Sequence, residues 1–163
     1  MNHLQKGDAG VPSLTSYLTS ESEASMALET KIVLLTHGGW GTHLVESLGM
    51  VLGPITCTYE IPLTPSLTLS EYMGQVDAYL DTVAEDSLII TDIFGGTTSN
   101  VAAKLGNERG VRVLSGLSAP LLLEACSQLQ FNGALDVDRL LEVGEGACKD
   151  VVATIRARAK RDS

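Results

Sequence analysis

The sequence predicts an α/β fold, doubly wound, with a mainly parallel sheet of strand order 2-1-3-4 and helices on both faces. From Lys31 onward, short apolar runs alternate with segments of helical periodicity. Alternation of this kind produces a parallel sheet covered on both faces. The chain has 163 residues, the size of one ordinary domain. Because a small sheet of this class usually reverses its winding once, we expect strands 1 and 3 to be neighbours.

Residues 1–30 differ in composition from the remainder. The stretches "GDAGVPS" and "LTSESEAS" are rich in Ser, Gly and Glu. They predict an N-terminal arm, either a leader or tag or a short accessory helix. The domain proper is predicted to span residues 31–163.

The first half of the domain contains two predicted strand–helix pairs. "KIVLLT" is a continuous apolar run of the buried-strand type, and "TCTYEI" is the second strand. "THLVESLGMVLG" has helical spacing and ends at Gly53 before Pro54. "TLSEYMGQVDAYLDTVA" is an amphipathic helix with Thr68 or Ser70 as its cap. The predicted inward faces are Leu44, Val45, Leu48, Val51 and Leu52 in the first helix and Leu69, Met73, Val76, Leu80 and Val83 in the second.

The second half repeats the alternation. "SLIIT" and "VRVLS" are the third and fourth strands, and "TTSNVAAKLG" between them is a short helix ending at Gly106. "APLLLEACSQL" is a helix with Pro120 in its first turn. "DVDRLLEVGEGACKDVVATIRARAK" predicts one long terminal helix, loosened by Gly144 and Gly146.

Composition narrows the class of function. The chain is 44% hydrophobic and 19% charged, with a net charge of -9. Such acidity argues against nucleic acid and anionic membrane surfaces as partners. Three scattered cysteines without CxxC spacing predict neither a metal site nor a disulfide framework. No apolar run approaches the roughly 20 residues of a membrane span, and no signal peptide is readable, so we expect a cytoplasmic protein. The sequence has no Walker A loop, no full dinucleotide fingerprint and no metal-ligand spacing, and we expect no cofactor.

Two predicted strands end in residues that carry chemistry. His37 ends strand 1 and Asp92 ends strand 3, so in the 2-1-3-4 order both overhang one crevice. Glycines follow each of them, in "HGGWG" and "DIFGGTTSN". Helix N-termini with free N–H groups favour phosphate. The predicted phosphate-binding residues are Gly38, Gly95, Gly96, Thr97 and Thr98.

These residue types together suit phosphoryl transfer. A neutral imidazole that donates one N–H to a carboxylate presents its other nitrogen as a nucleophile. Taken singly, each feature has a structural explanation: His37 as a satisfied loop residue, Asp92 as a cap, the glycines as tight turns. Their coincidence at one crevice favours function. His43 has no identifiable partner and is interpreted as structural or exposed.

The stretches "LLTHGGWGTHLVESLGMVLG" and "LIITDIFGGTTSNVA" resemble the mannose-type enzyme IIA domain of the bacterial phosphoenolpyruvate-dependent sugar phosphotransferase system. The likeness extends from Lys31 to the terminal helix. It implies that His37 is phosphorylated and that Asp92 hydrogen-bonds the other ring nitrogen. Thr97 stands where the family usually has serine, and Thr98 where it often has proline.

The resemblance also implies partners. The phosphoryl donor would be the phosphocarrier protein HPr and the acceptor a IIB domain, with indirect membrane association through IIC and IID components. A homodimer is expected on the same ground. Two alternatives stay open: a phosphorylation-controlled regulatory module of the same fold, and a subunit serving dihydroxyacetone kinase. The paired glycines Gly95 and Gly96 favour the sugar-transport branch.

Overall fold

The computed structural model describes residues 27–161, so most of the predicted arm lies outside the described residues. Four parallel strands form one sheet in the order β2-β1-β3-β4, which confirms the predicted topology. The strands are β1 (Ile32–His37), β2 (Thr58–Leu63), β3 (Leu88–Thr91) and β4 (Arg112–Ser115). The helices of the described region are α1 (Trp40–Leu52), α2 (Leu69–Leu80), α3 (Thr97–Arg109), α4 (Ala119–Asn132), α5 (Val137–Glu145) and α6 (Val151–Arg161).

Both faces of the sheet are buried, as the continuous apolar strands predict. Ile32 and Leu34 of β1 pack in a core with residues of α1, α4 and α5. Val33 and Leu35 point the other way, into a core with α2 and α3. The two-residue repeat of a strand therefore places helices on both sides. None of the helices between residues 27 and 161 is long and apolar enough to cross a membrane.

Two residues predicted to face inward are exposed. Val51 lies at the edge of the apolar face of α1, and Leu69 is the first residue of α2. Thr68 caps α2, and its hydroxyl and backbone pair reciprocally with Glu71. Leu69 therefore lies at the rim of the domain, before the helix reaches the sheet.

The end predicted for the third helix is wrong. α3 continues through Gly106 to Arg109 and ends at Gly110, which has a φ of 72°. Gly106 is buried, and a Cβ there would lie 2.5 Å from Val113 Cγ2 and 2.8 Å from the Val111 carbonyl oxygen. This glycine allows α3 to pack closely on β4 and does not stop the helix.

The predicted long terminal helix is also wrong, because the structure has two helices there. α5 ends at Glu145, and Gly146 follows as its C-cap. α6 begins at Val151, and the Asp150 carboxylate accepts a hydrogen bond of 2.8 Å from the Ala153 N–H group. A strong cap at Asp150 makes a new helix start where the periodicity indicates continuity.

Candidate functional site

The carboxyl ends of β1 and β3 bring His37 and Asp92 together, as the sequence predicts. Leu35 of β1 pairs with Thr91 of β3, so the residues that follow share one edge of the sheet. The Asp92 Oδ2 atom accepts hydrogen bonds from the His37 backbone N–H at 2.7 Å and from its ring Nδ1 at 2.9 Å. The backbone and the side chain of His37 are both fixed by one carboxylate.

The surroundings of Asp92 determine which ring nitrogen is free. Its side chain is 2% exposed, and its Oδ1 accepts from the Ile93 N–H at 2.8 Å and the Thr98 hydroxyl at 2.9 Å. Burial acts to raise the pKa of Asp92, but the hydrogen bonds from His37 and Thr98 outweigh it and lower that pKa. An ionised carboxylate only accepts hydrogen bonds. In the neutral ring, Nδ1 therefore carries the hydrogen and Nε2 holds the lone pair.

The imidazole of His37 is partly exposed to solvent. Its side chain is 43% exposed, in contrast with the buried Asp92. The ring lies beside the start of α3, because a Cβ added to Gly96 would be 3.4 Å from His37 Cε1. A reactant at Nε2 would thus meet the β3–α3 turn.

The β3–α3 turn leaves its helix N-terminus open. Gly95 has a φ of +81°, a conformation that suits glycine, and Gly96 is the N-cap of α3 without a side-chain cap. The first N–H groups of a helix have no partner within the helix. The N–H groups at the start of α3, from Thr97 onward, are therefore available to an anion beside His37.

The threonines of this turn have different surroundings. Thr97 is exposed and lines the crevice at His37, where its hydroxyl can reach a ligand. Thr98 is fully buried, and its hydroxyl donates to Asp92. This hydroxyl therefore does not point to a phosphate in the crevice, although the sequence predicts Thr98 as a phosphate-binding residue. The side chain of Thr98 is thus held by Asp92, and only its backbone N–H, at the start of α3, remains for a ligand.

The β1–α1 turn has the same glycine-rich composition but other partners. Gly38 and Gly39 adopt φ values of 70° and 82°. The Gly38 N–H donates to the Leu63 carbonyl oxygen at 2.9 Å, which continues the β1–β2 ladder. The Gly38 N–H expected to bind phosphate is thus used by the sheet.

Glu60 of β2 occupies the start of α1. Its Oε1 accepts from the Gly41 N–H at 2.8 Å and from the Thr36 hydroxyl. Its Oε2 accepts from Thr42, at 2.8 Å from the N–H and 2.6 Å from the hydroxyl. Partial burial acts to raise the pKa of Glu60, yet these hydrogen bonds lower it below the ordinary value. The anion that this helix N-terminus favours is a side chain of the protein itself.

Sequence reasoning missed Glu60 and the loop after β2. A carboxylate within the apolar strand "TYEIPL" is the signal that could have identified Glu60. The loop closes one side of a crevice of about 660 Å³ at His37. The crevice is lined by His37, Gly38, Leu63, Thr64, Pro65, Leu67, Leu69 and Thr97.

The second histidine of the domain lies away from this crevice. His43 is exposed, and its Nδ1 lies 3.3 Å from Glu46 Oε2 within α1. It therefore has a surface partner that the sequence did not reveal. No group of three His, Cys, Asp or Glu side chains suited to a metal ion occurs among residues 27–161.

Known proteins match this chain over most of its length. Residues 31–138 match the family described as PTS system fructose IIA component. The chain is 25% identical over 135 residues to the PTS system sorbose-specific EIIA component of Lacticaseibacillus casei, covering 81% of this chain and 98% of the relative. The fold matches phosphotransferase system component EIIA from Streptococcus agalactiae (TM-score 0.69, 23% identity, 76% and 98% covered). It also matches the mannose/sorbose specific IIA subunit from Enterococcus faecalis (TM-score 0.66, 24% identity, 76% and 96% covered).

Proposed function

The chain belongs to the PTS system fructose IIA component family, and from that premise we propose that His37 carries its phosphoryl group. Members of this family are phosphotransferase components of sugar transport, and this chain is one of them. The observation that carries the residue assignment is the 2.9 Å contact between His37 Nδ1 and the buried Asp92 carboxylate. That contact leaves the lone pair on Nε2, in a ring whose side chain is partly exposed, and we take this atom as the nucleophile.

The transfer step follows from this geometry. The Nε2 lone pair attacks the phosphorus of a phosphorylated donor, an Nε2–P bond forms, and the bond from phosphorus to the donor breaks. Positive charge develops on the ring, and the Asp92 carboxylate offsets it through Nδ1–H. Passing the phosphoryl group to an acceptor reverses these bond changes at Nε2.

The phosphoryl oxygens are proposed to lie at the start of α3. Gly96 lies beside the ring, since a Cβ added there would be 3.4 Å from His37 Cε1, and the backbone N–H groups of Thr97 and Thr98 follow it. The exposed Thr97 hydroxyl adds a donor. These groups stabilise the negative charge that the phosphoryl group brings.

The partners are proposed to be proteins that reach His37 from solvent. Trp40 at the start of α1, and Ile93 and Phe94 in the β3–α3 turn, are exposed apolar side chains in the two turns that follow His37 and Asp92, and we propose that a protein partner contacts them. We assign HPr as donor and a IIB domain as acceptor, in the cytoplasm, with IIC and IID components as the indirect link to the membrane. The chain is proposed to act as a homodimer.

A phosphorylation assay tests the assignment. Incubated with phosphoenolpyruvate and the general phosphotransferase proteins, the full chain should gain one phosphoryl group in an acid-labile, base-stable linkage. His37→Ala should abolish it, because Nε2 is the attacking atom. His43→Ala is the matched control. His43 is an exposed histidine in α1, close to His37 in sequence, and its replacement should leave labelling unchanged. Label that persists in His37→Ala would overturn the proposal.

The same assay separates transport from regulation. A transport component passes its phosphoryl group to a IIB domain, whereas a regulatory module retains it. We expect a IIB domain to remove the label from His37. Retention of the label in the presence of a IIB domain that a known relative can phosphorylate would favour the regulatory alternative.

A further inference from the structure

Two cysteines meet at the edge of the sheet opposite His37. Cys57 immediately precedes β2 and Cys126 lies within α4, and their thiols interact with each other. Both pack in the apolar core on the α1–α4 face. Cys148 is exposed in the segment between α5 and α6. The fold thus brings together two of three thiols that lie far apart in sequence.

Solvent reaches the two thiols unequally. Cys126 is fully buried, whereas Cys57 is partly exposed. Cys57 lines a cleft of about 410 Å³ whose wall also includes Lys31, Thr56 and Gln130. A small reagent in this cleft therefore reaches Cys57, whereas Cys126 is buried and does not line the cleft.

The ionisation of the pair has the same asymmetry. The interaction with Cys126 lowers the pKa of Cys57 to about 7 against the opposing effect of burial, and the nearby Lys31 ammonium adds to the lowering. The interaction with Cys57, together with burial, raises the pKa of Cys126. The shifts favour the thiolate at the more accessible sulfur and the thiol at the buried one. Thiolate character and exposure are what make a cysteine prone to oxidation.

We propose that Cys57 and Cys126 form a reversible redox pair, in which a hydroperoxide oxidises Cys57 and Cys126 then closes a disulfide. The Cys57 thiolate attacks one peroxide oxygen and the O–O bond breaks, which gives a sulfenic acid and, after protonation, water or an alcohol. Cys126 attacks the sulfenic sulfur, the S–O bond breaks, and its thiol proton leaves with the hydroxide as water. Two electrons pass from the thiols to the peroxide, and a dithiol reverses the change.

The cross-link lies away from the phosphoryl site. Cys57 is adjacent to the first residue of β2, while His37 pairs with Leu63 at the last. The disulfide would tie the start of β2 to α4 without touching the His37–Asp92 pair. Joining segments this distant in sequence constrains the unfolded chain, so the oxidised protein should unfold at a higher temperature. In a reducing compartment such a bond is transient.

Mass spectrometry of the full chain, first intact and then after digestion, tests the pair. The reduced protein is treated with one equivalent of hydrogen peroxide at pH 7.5, alkylated after unfolding, and digested. We expect the loss of two hydrogen atoms, a Cys57–Cys126 linked peptide, and alkylation of Cys148 alone. Dithiothreitol should restore three alkylated thiols.

Cysteine variants assign the order of events. Cys148→Ser is the matched control and should still form the cross-link. Cys126→Ser should stop at a Cys57 sulfenic acid that dimedone traps, and Cys57→Ser should leave Cys126 reduced. Cys148→Ser replaces an exposed side chain, so it serves as the folded reference if either of the other two variants unfolds. The proposal is overturned if Cys148→Ser retains two alkylatable thiols after peroxide, or if its Cys57 is overoxidised with Cys126 free.

Discussion

The two glycine-rich turns beside His37 have similar sequences but opposite roles. Each follows a parallel strand and begins a helix, so each presents backbone N–H groups that favour an anion. At the β1–α1 turn, Glu60 supplies the anion from within the fold. At the β3–α3 turn the N-cap is Gly96, no carboxylate among residues 27–161 takes the place that Glu60 has at α1, and a Cβ on this glycine would be 3.4 Å from His37 Cε1. Of the two turns, the β3–α3 turn is the one whose first helical N–H groups are left for an external anion, which is why the proposed phosphate site lies there.

The carboxylates at the two turns, Asp92 and Glu60, are not interchangeable. Asp92 contacts the His37 ring, whereas Glu60 contacts Thr36 and the start of α1. Both carboxyl pKa values are lowered by hydrogen bonds that outweigh burial. A lowered pKa alone therefore does not distinguish the carboxylate proposed to assist transfer from the one that caps α1; the contact with the His37 ring does.

The largest expected effect is on the rate of phosphoryl transfer, at the β3–α3 turn. Asp92→Asn should slow phosphorylation of His37 by about 10²–10⁴-fold, because the amide cannot offset charge developing on the ring. Initial rates with phosphorylated donor measure this. Asp86→Asn is the control, since this carboxylate accepts from Thr30 at the far edge of the sheet and should leave the rate unchanged. Wild-type rates in Asp92→Asn would contradict the role of the carboxylate.

The next largest effect is on the stability of the fold, at the β1–α1 turn. Glu60→Ala removes the acceptor of the Gly41 and Thr42 N–H groups and of the Thr36 hydroxyl. Loss of a helix cap of this kind costs about 1–2 kcal/mol of unfolding free energy. Urea denaturation should show this loss, with a smaller one in Glu60→Gln, which keeps an acceptor oxygen. Unchanged stability in Glu60→Ala would show that the carboxylate does not hold the turn.

A smaller effect is the pH dependence of that stability. The pKa of Glu60 is lowered in the folded protein from an ordinary value of 4.5. A lowered folded pKa contributes stability that is present above the ordinary value and is lost as the pH falls through the folded one. The difference in unfolding free energy between wild type and Glu60→Gln should therefore shrink between pH 6 and pH 3. A difference that grows on acidification would contradict the assignment.

The part of the candidate site that lies at the ends of strands can be predicted from the sequence. Parallel strands end at one edge of a sheet, so the order 2-1-3-4 brings His37 to Asp92 without knowledge of side chains. Glu60 could not be placed in this way. Its contact with the start of α1 depends on the register of β2, in which it pairs with Leu34, and on which face its side chain takes.

The errors in the predicted fold have a related cause. Glycine ends a helix when the backbone turns there, and it continues a helix when a neighbour must come close. Gly106 and Gly110 lie four residues apart, and only packing against β4 distinguishes them. The break before α6 likewise depends on the Asp150 cap, in a segment whose helical periodicity continues on both sides.

The most direct test of the account is where the phosphoryl group lies on the phosphorylated protein. Nuclear magnetic resonance of ¹⁵N-labelled protein identifies the bonded ring nitrogen and the backbone amides that shift. We expect phosphorylation of His37 at Nε2, with large shifts of the Thr97 and Thr98 amides and small ones at Gly41 and Thr42. A phosphoryl group on Nδ1, or shifts concentrated at Gly41 and Thr42, would contradict it.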